Sequence, residues 1–102
     1  MYMVVSRWDV LPGNESEVEE RARKVRETLS VQPGITLMQG FRTEDGKGII
    51  AVIGYESKDS YDRIINDPNG PFHRALAEYR LEDYTRWVWS ERGETEPEFA
   101  NV

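Results

Sequence analysis

The sequence predicts one small α+β domain whose strands and helices follow the order β-α-β-β-α-β. Three observations support this fold class. The chain has 102 residues, which is the size of a single domain. Two segments, the second of them interrupted, carry apolar residues at helical spacing. Four segments rich in β-branched and aromatic residues are bounded by turn signals, as strands are.

The first strand and helix are predicted from the start of the chain. Residues 2–10 form the strand, and a Leu-Pro-Gly sequence ends it. Asn14 is the predicted N-cap, with Glu17 three residues later as in a capping box. The predicted buried stripe of the helix is Val18, Ala22, Val25 and Leu29. The predicted ion pairs along it are Glu17–Arg21, Glu19–Arg23 and Glu20–Lys24.

The second and third strands are predicted as a hairpin. Pro33-Gly34 ends the helix, and residues 35–42 form the second strand. Asp45-Gly46 supplies the tight turn that leads to the third strand at residues 48–56.

The second helical region and the last strand complete the pattern. Ser57 is a predicted N-cap, residues 67–71 break the helix, and Pro71 opens its continuation. Residues 84–91 form the fourth strand. The predicted buried side chains of the two helical pieces are Tyr61, Ile64, Ile65, Phe72, Ala75, Leu76 and Tyr79. The whole is a ferredoxin-like βαββαβ arrangement, with a four-stranded antiparallel sheet and helices on one face.

The strands are apolar on both faces, which two helices on one face do not explain. Runs such as residues 2–5, 49–53 and 87–89 do not alternate with polar residues. An exposed apolar sheet face is a signal of an interface. The sequence therefore predicts a homodimer in which two sheets pack face to face.

Composition excludes several classes of function. The net charge at pH 7 is −6 and no basic run is present, so nucleic acid is not an expected partner. The chain has no cysteine, which excludes disulfides and thiolate metal sites. Without a signal-peptide pattern or a long apolar stretch, we expect a cytoplasmic protein that does not bind membranes. Residues 1–92 are predicted to form the domain, and residues 93–102 an acidic C-terminal tail.

Three motifs match known signatures by letter and are interpreted as structural. Residues 46–51 match the dinucleotide fingerprint G-x-G-x-x-A, but they precede a strand rather than a helix, so a hairpin is predicted. Residues 47–52 approach an RNA-recognition signature without the stacking aromatic rings that it needs. Residues 14–16 form a glycosylation sequon by letter and are interpreted as a helix cap. With one histidine in the chain, no metal site is predicted.

Several residues are candidates for a site. Histidine is the side chain that titrates near neutrality without help, and His73 is the one histidine here. It is either a surface residue or a pocket residue that contacts a ligand. Arg7, among apolar neighbours, either pairs with an acidic residue across the dimer or holds an anionic ligand. The aromatic residues expected in packing or around a flat ligand are Trp8, Tyr55, Tyr61, Phe72, Trp87 and Trp89.

Several junctions together resemble the antibiotic biosynthesis monooxygenase-like family. They are an Arg-containing first strand closed by Leu-Pro-Gly, an Asn-x-x-Glu helix start, Pro33-Gly34-Ile35, and Tyr55-Glu56-Ser57-Lys58 after the third strand. The resemblance covers residues 2 to about 92. It implies a dimeric α+β barrel, in agreement with the two-sided apolar strands, with ligands between the helices and the sheet of each monomer.

The resemblance implies small-molecule chemistry of several kinds. Some members oxidise polycyclic phenols or quinols with O2 and no metal or flavin, and others degrade haem or isomerise or decarboxylate small molecules. The haem-degrading branch uses an Asn, a Trp and a His. This chain has Ser6 and Ile64 at the first two positions and His73 near the third, so haem degradation is not the leading prediction.

We therefore predict a cofactor-independent monooxygenase-like protein that acts with O2 on a small aromatic substrate of the phenol or quinol type. This chemistry needs an apolar pocket, a base, and hydrogen-bond donors to the developing oxyanion. The predicted catalytic residues are His73 as the base and Tyr55 and Ser6 as donors. The predicted substrate-binding residues are Trp8, Tyr61, Phe72 and Arg7. The alternatives are a non-catalytic or haem-binding dimeric module and another reaction, such as isomerisation, on the same fold.

Overall fold

The computed structural model describes residues 1–96, and its elements follow the predicted order. The α+β, ferredoxin-like βαββαβ prediction is confirmed. The elements are β1 (Tyr2–Val10), α1 (Glu15–Ser30), β2 (Ile35–Arg42), β3 (Gly48–Tyr55), α2 (Lys58–Tyr61), α3 (Pro71–Tyr79) and β4 (Thr85–Glu94). A π-helical turn at Asp62–Asn66 follows α2, and a 3-10 turn at Leu81–Asp83 follows α3.

The four strands form one antiparallel sheet in the order β2-β3-β1-β4. The two central strands, β1 and β3, are therefore paired on both sides, and β2 and β4 are the edges. In β4 the pairing with β1 shifts by one residue between Arg7 and Trp8, so Val88 has no partner and forms a β-bulge. The alternation of faces along β4 changes phase at that point.

The two faces of the sheet differ in what covers them. Along β1 the even-numbered residues face the helices, because Tyr2 packs 5.3 Å from Tyr61 and Trp8 packs 6.4 Å from Phe72, measured between ring centroids. Successive strand residues point to opposite faces, so Val5 and Arg7 lie on the other face. No helix of the described chain packs there. We call it the open face.

The core lies between the helices and one end of the sheet. Its buried members are Tyr2, Val25, Leu29, Tyr55, Tyr61, Ile64 and Ala75. The predicted stripe of α1 is buried as expected, with Val18, Ala22, Val25 and Leu29 at 8% exposure or less. In α3, Ala75 and Leu76 are buried and Phe72 and Tyr79 pack at the margin of the core.

The predicted capping box at the start of α1 is wrong. Asn14 occupies the N-cap position, but its side chain makes no bond to the helix. Its amide nitrogen instead donates to the backbone oxygen of Pro12 at 3.0 Å, because the preceding turn brings that carbonyl within reach. The first turn keeps its acidic residues Glu15 and Glu17, which suit the positive end of the helix dipole.

The predicted ion pairs of α1 form in part. Arg21 pairs with Glu17 at 3.1 Å, and Lys24 approaches Glu20 at 3.9 Å. The Glu19–Arg23 prediction is wrong, because Arg23 bonds to Glu20 at 2.7 Å and also to Glu27. All these groups are substantially exposed, so each pair contributes little to stability.

The junction between β3 and α2 forms as predicted. The Ser57 hydroxyl accepts a hydrogen bond from the backbone N–H of Ser60 at 3.2 Å, which caps the short helix. The break before α3 is also confirmed: Pro71 stands in its first turn, and Gly70 takes the N-cap position.

The last strand is longer than predicted. β4 continues to Glu94, three residues beyond the predicted end at residue 91, and pairs with β1 along that length. Two residues assigned to the acidic tail, Gly93 and Glu94, thus belong to the sheet. The remainder of the tail from residue 97 lies outside the described residues. Within the described part of the chain, no helix is both long enough and apolar enough to span a bilayer.

The two N-caps give the first testable prediction. Ser57→Ala should lower the free energy of unfolding by about 1 kcal/mol, because the N–H of Ser60 loses its acceptor. Asn14→Ala should cost less, because its side chain does not cap α1. Urea titrations of both variants measure the difference, and equal losses would show that Asn14 does cap its helix in solution.

Candidate functional site: the cleft between helices and sheet

A row of small residues crosses the helix-facing side of the sheet. The register places Ser6 of β1 beside Ala51 of β3 and Ser90 of β4, and Ala51 beside Gly40 of β2. Nearer the core, beyond the row of Val4 and Ile53, the side chains of Tyr2 and Tyr55 are buried, at 7% and 1% exposure. Ser6, Ala51 and Ser90 remain partly exposed. We call the region between these small residues and the helix layer the cleft, and we infer from their partial exposure that the two layers pack less closely here.

Two aromatic rings form one wall of the cleft. Trp8 of β1 and Phe72 of α3 meet edge to face, with centroids 6.4 Å apart and ring planes at 70°. The indole nitrogen of Trp8 donates to the Ser6 hydroxyl oxygen at 3.2 Å. Because that oxygen accepts here, its own proton remains available for another acceptor. The cleft therefore combines apolar aromatic surface with one hydroxyl donor.

The predicted tyrosines Tyr55 and Tyr61 lie in the core. The Tyr55 and Tyr61 rings are 5.3 Å apart, and both residues are buried. Burial, together with the nearby Tyr61, raises the pKa of the Tyr55 hydroxyl well above its usual range. Tyr55 is therefore a neutral phenol at every physiological pH. The hydroxyl oxygen of Tyr61 accepts a bond from Arg92 at 3.1 Å.

His73 lies on the solvent side of α3. It follows Phe72, with the two ring centroids 5.6 Å apart, and its side chain is exposed. It borders an open depression of about 340 Å³ that Arg80 and Asp83 also line. The structure thus places His73 in the same helical turn as the cleft wall, but facing outward.

Arg7 lies on the open face, away from the cleft. Its Nε donates to the Asp9 carboxylate at 3.0 Å, and Arg86 bonds to the same carboxylate at 3.3 Å. These hydrogen bonds hold the pKa of Asp9 below its ordinary value against a smaller opposing effect of burial. The guanidinium lies over Gly48, where an added Cβ would meet its Nη2 at 2.6 Å. The ion pair of Arg7 is therefore made within its own chain.

The structure brings together three of the predicted site residues, Ser6, Trp8 and Phe72. Tyr55 and Tyr61 lie in the core at the Tyr2 end of the sheet, while His73 and Arg7 point elsewhere. Another open depression, of about 520 Å³, is lined by charged residues that include Glu56 and Arg63, and it lies at the β3–α2 junction. Among residues 1–96 there is no cluster of three acidic or histidine side chains that could hold a metal ion.

Sequence reasoning missed the small-residue floor and Arg92. No local sequence pattern connects Gly40, Ala51 and Ser90, because they belong to different strands and become neighbours only through the strand register. Arg92 contacts Tyr61 because the bulge at Val88 turns the later part of β4, and this shift leaves no pattern in the sequence.

The sheet order and the single helix layer define a ferredoxin-like α+β protein. A sequence profile of the antibiotic biosynthesis monooxygenase family matches residues 1–68, from β1 through α2 and the π-helical turn. The chain belongs to that family. No curated protein matches the sequence.

Solved structures share the whole fold at low sequence identity. SnoaB, a cofactor-independent oxygenase from Streptomyces nogalater, is 17% identical with a TM-score of 0.77, covering 98% of this chain and 97% of its own. Rv0793 from Mycobacterium tuberculosis is 15% identical with a TM-score of 0.78, covering 97% of this chain and 98% of its own. At these identities the likeness shows the fold.

The buried Tyr55 hydroxyl gives a prediction in alkaline solution. An unfolded tyrosine ionises near pH 10, and the folded protein raises the pKa of Tyr55 above that value. The folded state therefore binds this proton more tightly, and its contribution to stability is present below about pH 10 and lost as the pH rises further. The slope from this group alone reaches about 1.4 kcal/mol per pH unit.

Urea unfolding of wild type and Tyr55→Phe between pH 8 and 11 measures this contribution. The difference between their free energies of unfolding should be constant up to about pH 10. At higher pH the wild type should lose stability relative to the variant. A difference that stays constant over the whole range would show that water reaches the Tyr55 hydroxyl.

Proposed function

We propose that the protein is a cofactor-independent oxygenase that binds a small aromatic substrate of the phenol or quinol type in the cleft. The observation that carries the proposal is the pairing of an aromatic wall, Trp8 and Phe72, with the Ser6 hydroxyl on a floor of small residues. Membership of the antibiotic biosynthesis monooxygenase family supports an oxygenase over another reaction on the same fold.

The reaction requires the protein mainly to position the substrate and to stabilise the negative charge that forms on it. An anthrone-type substrate loses one proton and becomes a carbanion-like phenolate. The anion passes an electron to O2, the two radicals combine into a hydroperoxide, and loss of water leaves a carbonyl. One CH2 group and one O2 thus become one C=O and one water. A donor aimed at the phenolate oxygen stabilises the charge that develops during deprotonation.

We assign the roles to residues that the sequence already suggested. The Ser6 hydroxyl donates to the substrate oxyanion, and the faces and edges of Trp8 and Phe72 hold the rings. The neutral Tyr55 and Tyr61 stay in the core, and we assign them no contact with the substrate. His73 adjoins Phe72 in the first turn of α3 but faces outward, so we assign it the role of base only through a water molecule that relays the substrate proton.

Oxygen uptake with 1,8-dihydroxyanthrone tests this proposal. Wild type should consume O2 and form the quinone, and Ser6→Ala should lower kcat about a hundredfold through loss of an oxyanion donor. Ser30→Ala is the matched control, because Ser30 is exposed at the end of α1 and bonds only to the backbone of its own helix. Phe72→Ala should raise KM more than it lowers kcat.

Further outcomes of this assay separate the alternatives. Full activity in His73→Ala would remove His73 from the mechanism and leave the oxygenase intact. A thermal-shift measurement with haemin is made alongside. Stabilisation by haemin without any O2 uptake would contradict the oxygenase and favour a haem-binding module.

We also propose that the open face is the contact surface of a homodimer. Apolar side chains from all four strands lie on it: Val5, Leu37, Phe41, Ile50, Val52 and Trp89. Phe41 is 60% exposed and Trp89 39% exposed. Exposed apolar side chains on one sheet face are typical of an interface, and a two-fold axis would bring this face against the same face of a second copy.

Sedimentation velocity tests the dimer. Phe41→Asp should turn a dimer into a monomer, because a charge within the contact would be buried without a partner. Val31→Asp is the control, since Val31 is 77% exposed at the end of α1, away from the sheet. A wild-type monomer at micromolar concentration, or a Phe41→Asp dimer, would contradict the proposal.

A further inference from the structure

We propose that Trp8 is a positioning residue that fixes the direction of the Ser6 hydroxyl in the cleft. The inference rests on the proposed function, because Ser6 is the donor to the substrate oxyanion there. It starts from one contact, the 3.2 Å bond from the indole nitrogen of Trp8 to the oxygen of Ser6.

The chemistry of the two groups fixes which of them donates. An indole N–H can only donate, whereas a serine hydroxyl can both donate and accept. The Ser6 oxygen is therefore the acceptor, and one of its lone pairs is occupied. Its own proton then points away from the indole. A serine without this bond would rotate its hydroxyl freely among several directions.

The structure holds the indole itself in place from two sides. The centroid of its ring lies 6.4 Å from that of Phe72 in an edge-to-face arrangement, and its nitrogen donates a hydrogen bond to Ser6. Both ends of the bond lie on β1, a central strand that is paired on both sides. A donor on a rigid strand, held by a second side chain, keeps its geometry when charge develops on a ligand.

The β-bulge lies at the same place. The pairing of β1 with β4 shifts between Arg7 and Trp8, which is within the segment that separates the two bonded side chains. Bulges increase the local twist of a strand and turn side chains in a new direction, and they occur often beside active sites. The extra residue is Val88 of β4, so the bulge increases the twist of the sheet opposite Trp8 and does not itself turn the Trp8 side chain.

Replacement by phenylalanine separates the two roles of Trp8. Trp8→Phe keeps an aromatic ring against Phe72 but removes the N–H. If Trp8 serves only as a wall, the variant should behave as wild type. If Trp8 positions Ser6, Trp8→Phe should remove part of the stabilisation that the Ser6 hydroxyl gives to a bound oxyanion. In a protein that already lacks the Ser6 hydroxyl, Trp8→Phe should cause no further loss.

The experiment uses 4-nitrophenol as a chromogenic probe, and it does not depend on turnover. Binding in the cleft should favour the yellow phenolate and lower the titration midpoint of the bound probe. Trp8→Phe should reduce that preference about fivefold, the factor that one ordinary hydrogen bond supplies. Ser6→Ala and the Ser6→Ala/Trp8→Phe double variant should be equal. Ser30→Ala, at the exposed end of α1, should match wild type.

The same variants are compared in the anthrone assay, where Trp8→Phe should lower kcat about fivefold and leave KM nearly unchanged. A Trp8→Phe protein with the wild-type probe midpoint, or an additive double variant, overturns the inference. So does a probe that does not bind. A wild type that binds the probe with the expected midpoints, but consumes no O2, supports the positioning by Trp8 and refutes the oxygenase. Thermal melting of each variant verifies its fold. Ser6→Ala tests the same hydrogen bond by removing its acceptor, the smaller of the two side chains.

Discussion

Two hydrogen-bond ladders hold β1, one from β3 and one from β4, and the rest of the structure depends on them. Because strand residues alternate between faces, the ladders decide that Tyr2, Ser6 and Trp8 meet the helices and that Val5 and Arg7 do not. A slip of one residue would exchange these two sets and expose the core. The position of the helices, the core and the cleft all follow from this one register.

Stability and the candidate site share the helix-facing side of the same strand. At one end Tyr2 is buried against Tyr61, and the layers close into a dry core. In the middle Ser6 is small and partly exposed, and Trp8 then contacts Phe72 of α3. The ligand site that we propose lies at this small position, between two contacts made from one rigid strand.

The features that the sequence predicts well are those that depend on near neighbours in the chain. The bounds of β1, the buried stripe of α1 and the Ser57 cap are read from spacing alone. Features that depend on distant partners were not predictable. The outward direction of His73, for example, follows from how α3 rotates to bury its apolar side. Even a local pair can be ambiguous: Arg23 has several acidic neighbours on α1 and bonds to Glu20 and Glu27 rather than to Glu19. The bulge at Val88 leaves no signal, so the place of the residues after it could not be inferred.

The bulge also bears on how the molecule avoids self-association through its strand edges. β4 is an edge strand, and Trp87, Val88 and Trp89 give it a consecutive apolar run with 53%, 39% and 39% exposure. Such a run on a flat edge would recruit the edges of other chains and lead towards aggregation. The bulge twists this edge in the middle of the run, and β2 has a similar irregularity near its start. Both open edges of the sheet are therefore poor templates for a fifth strand.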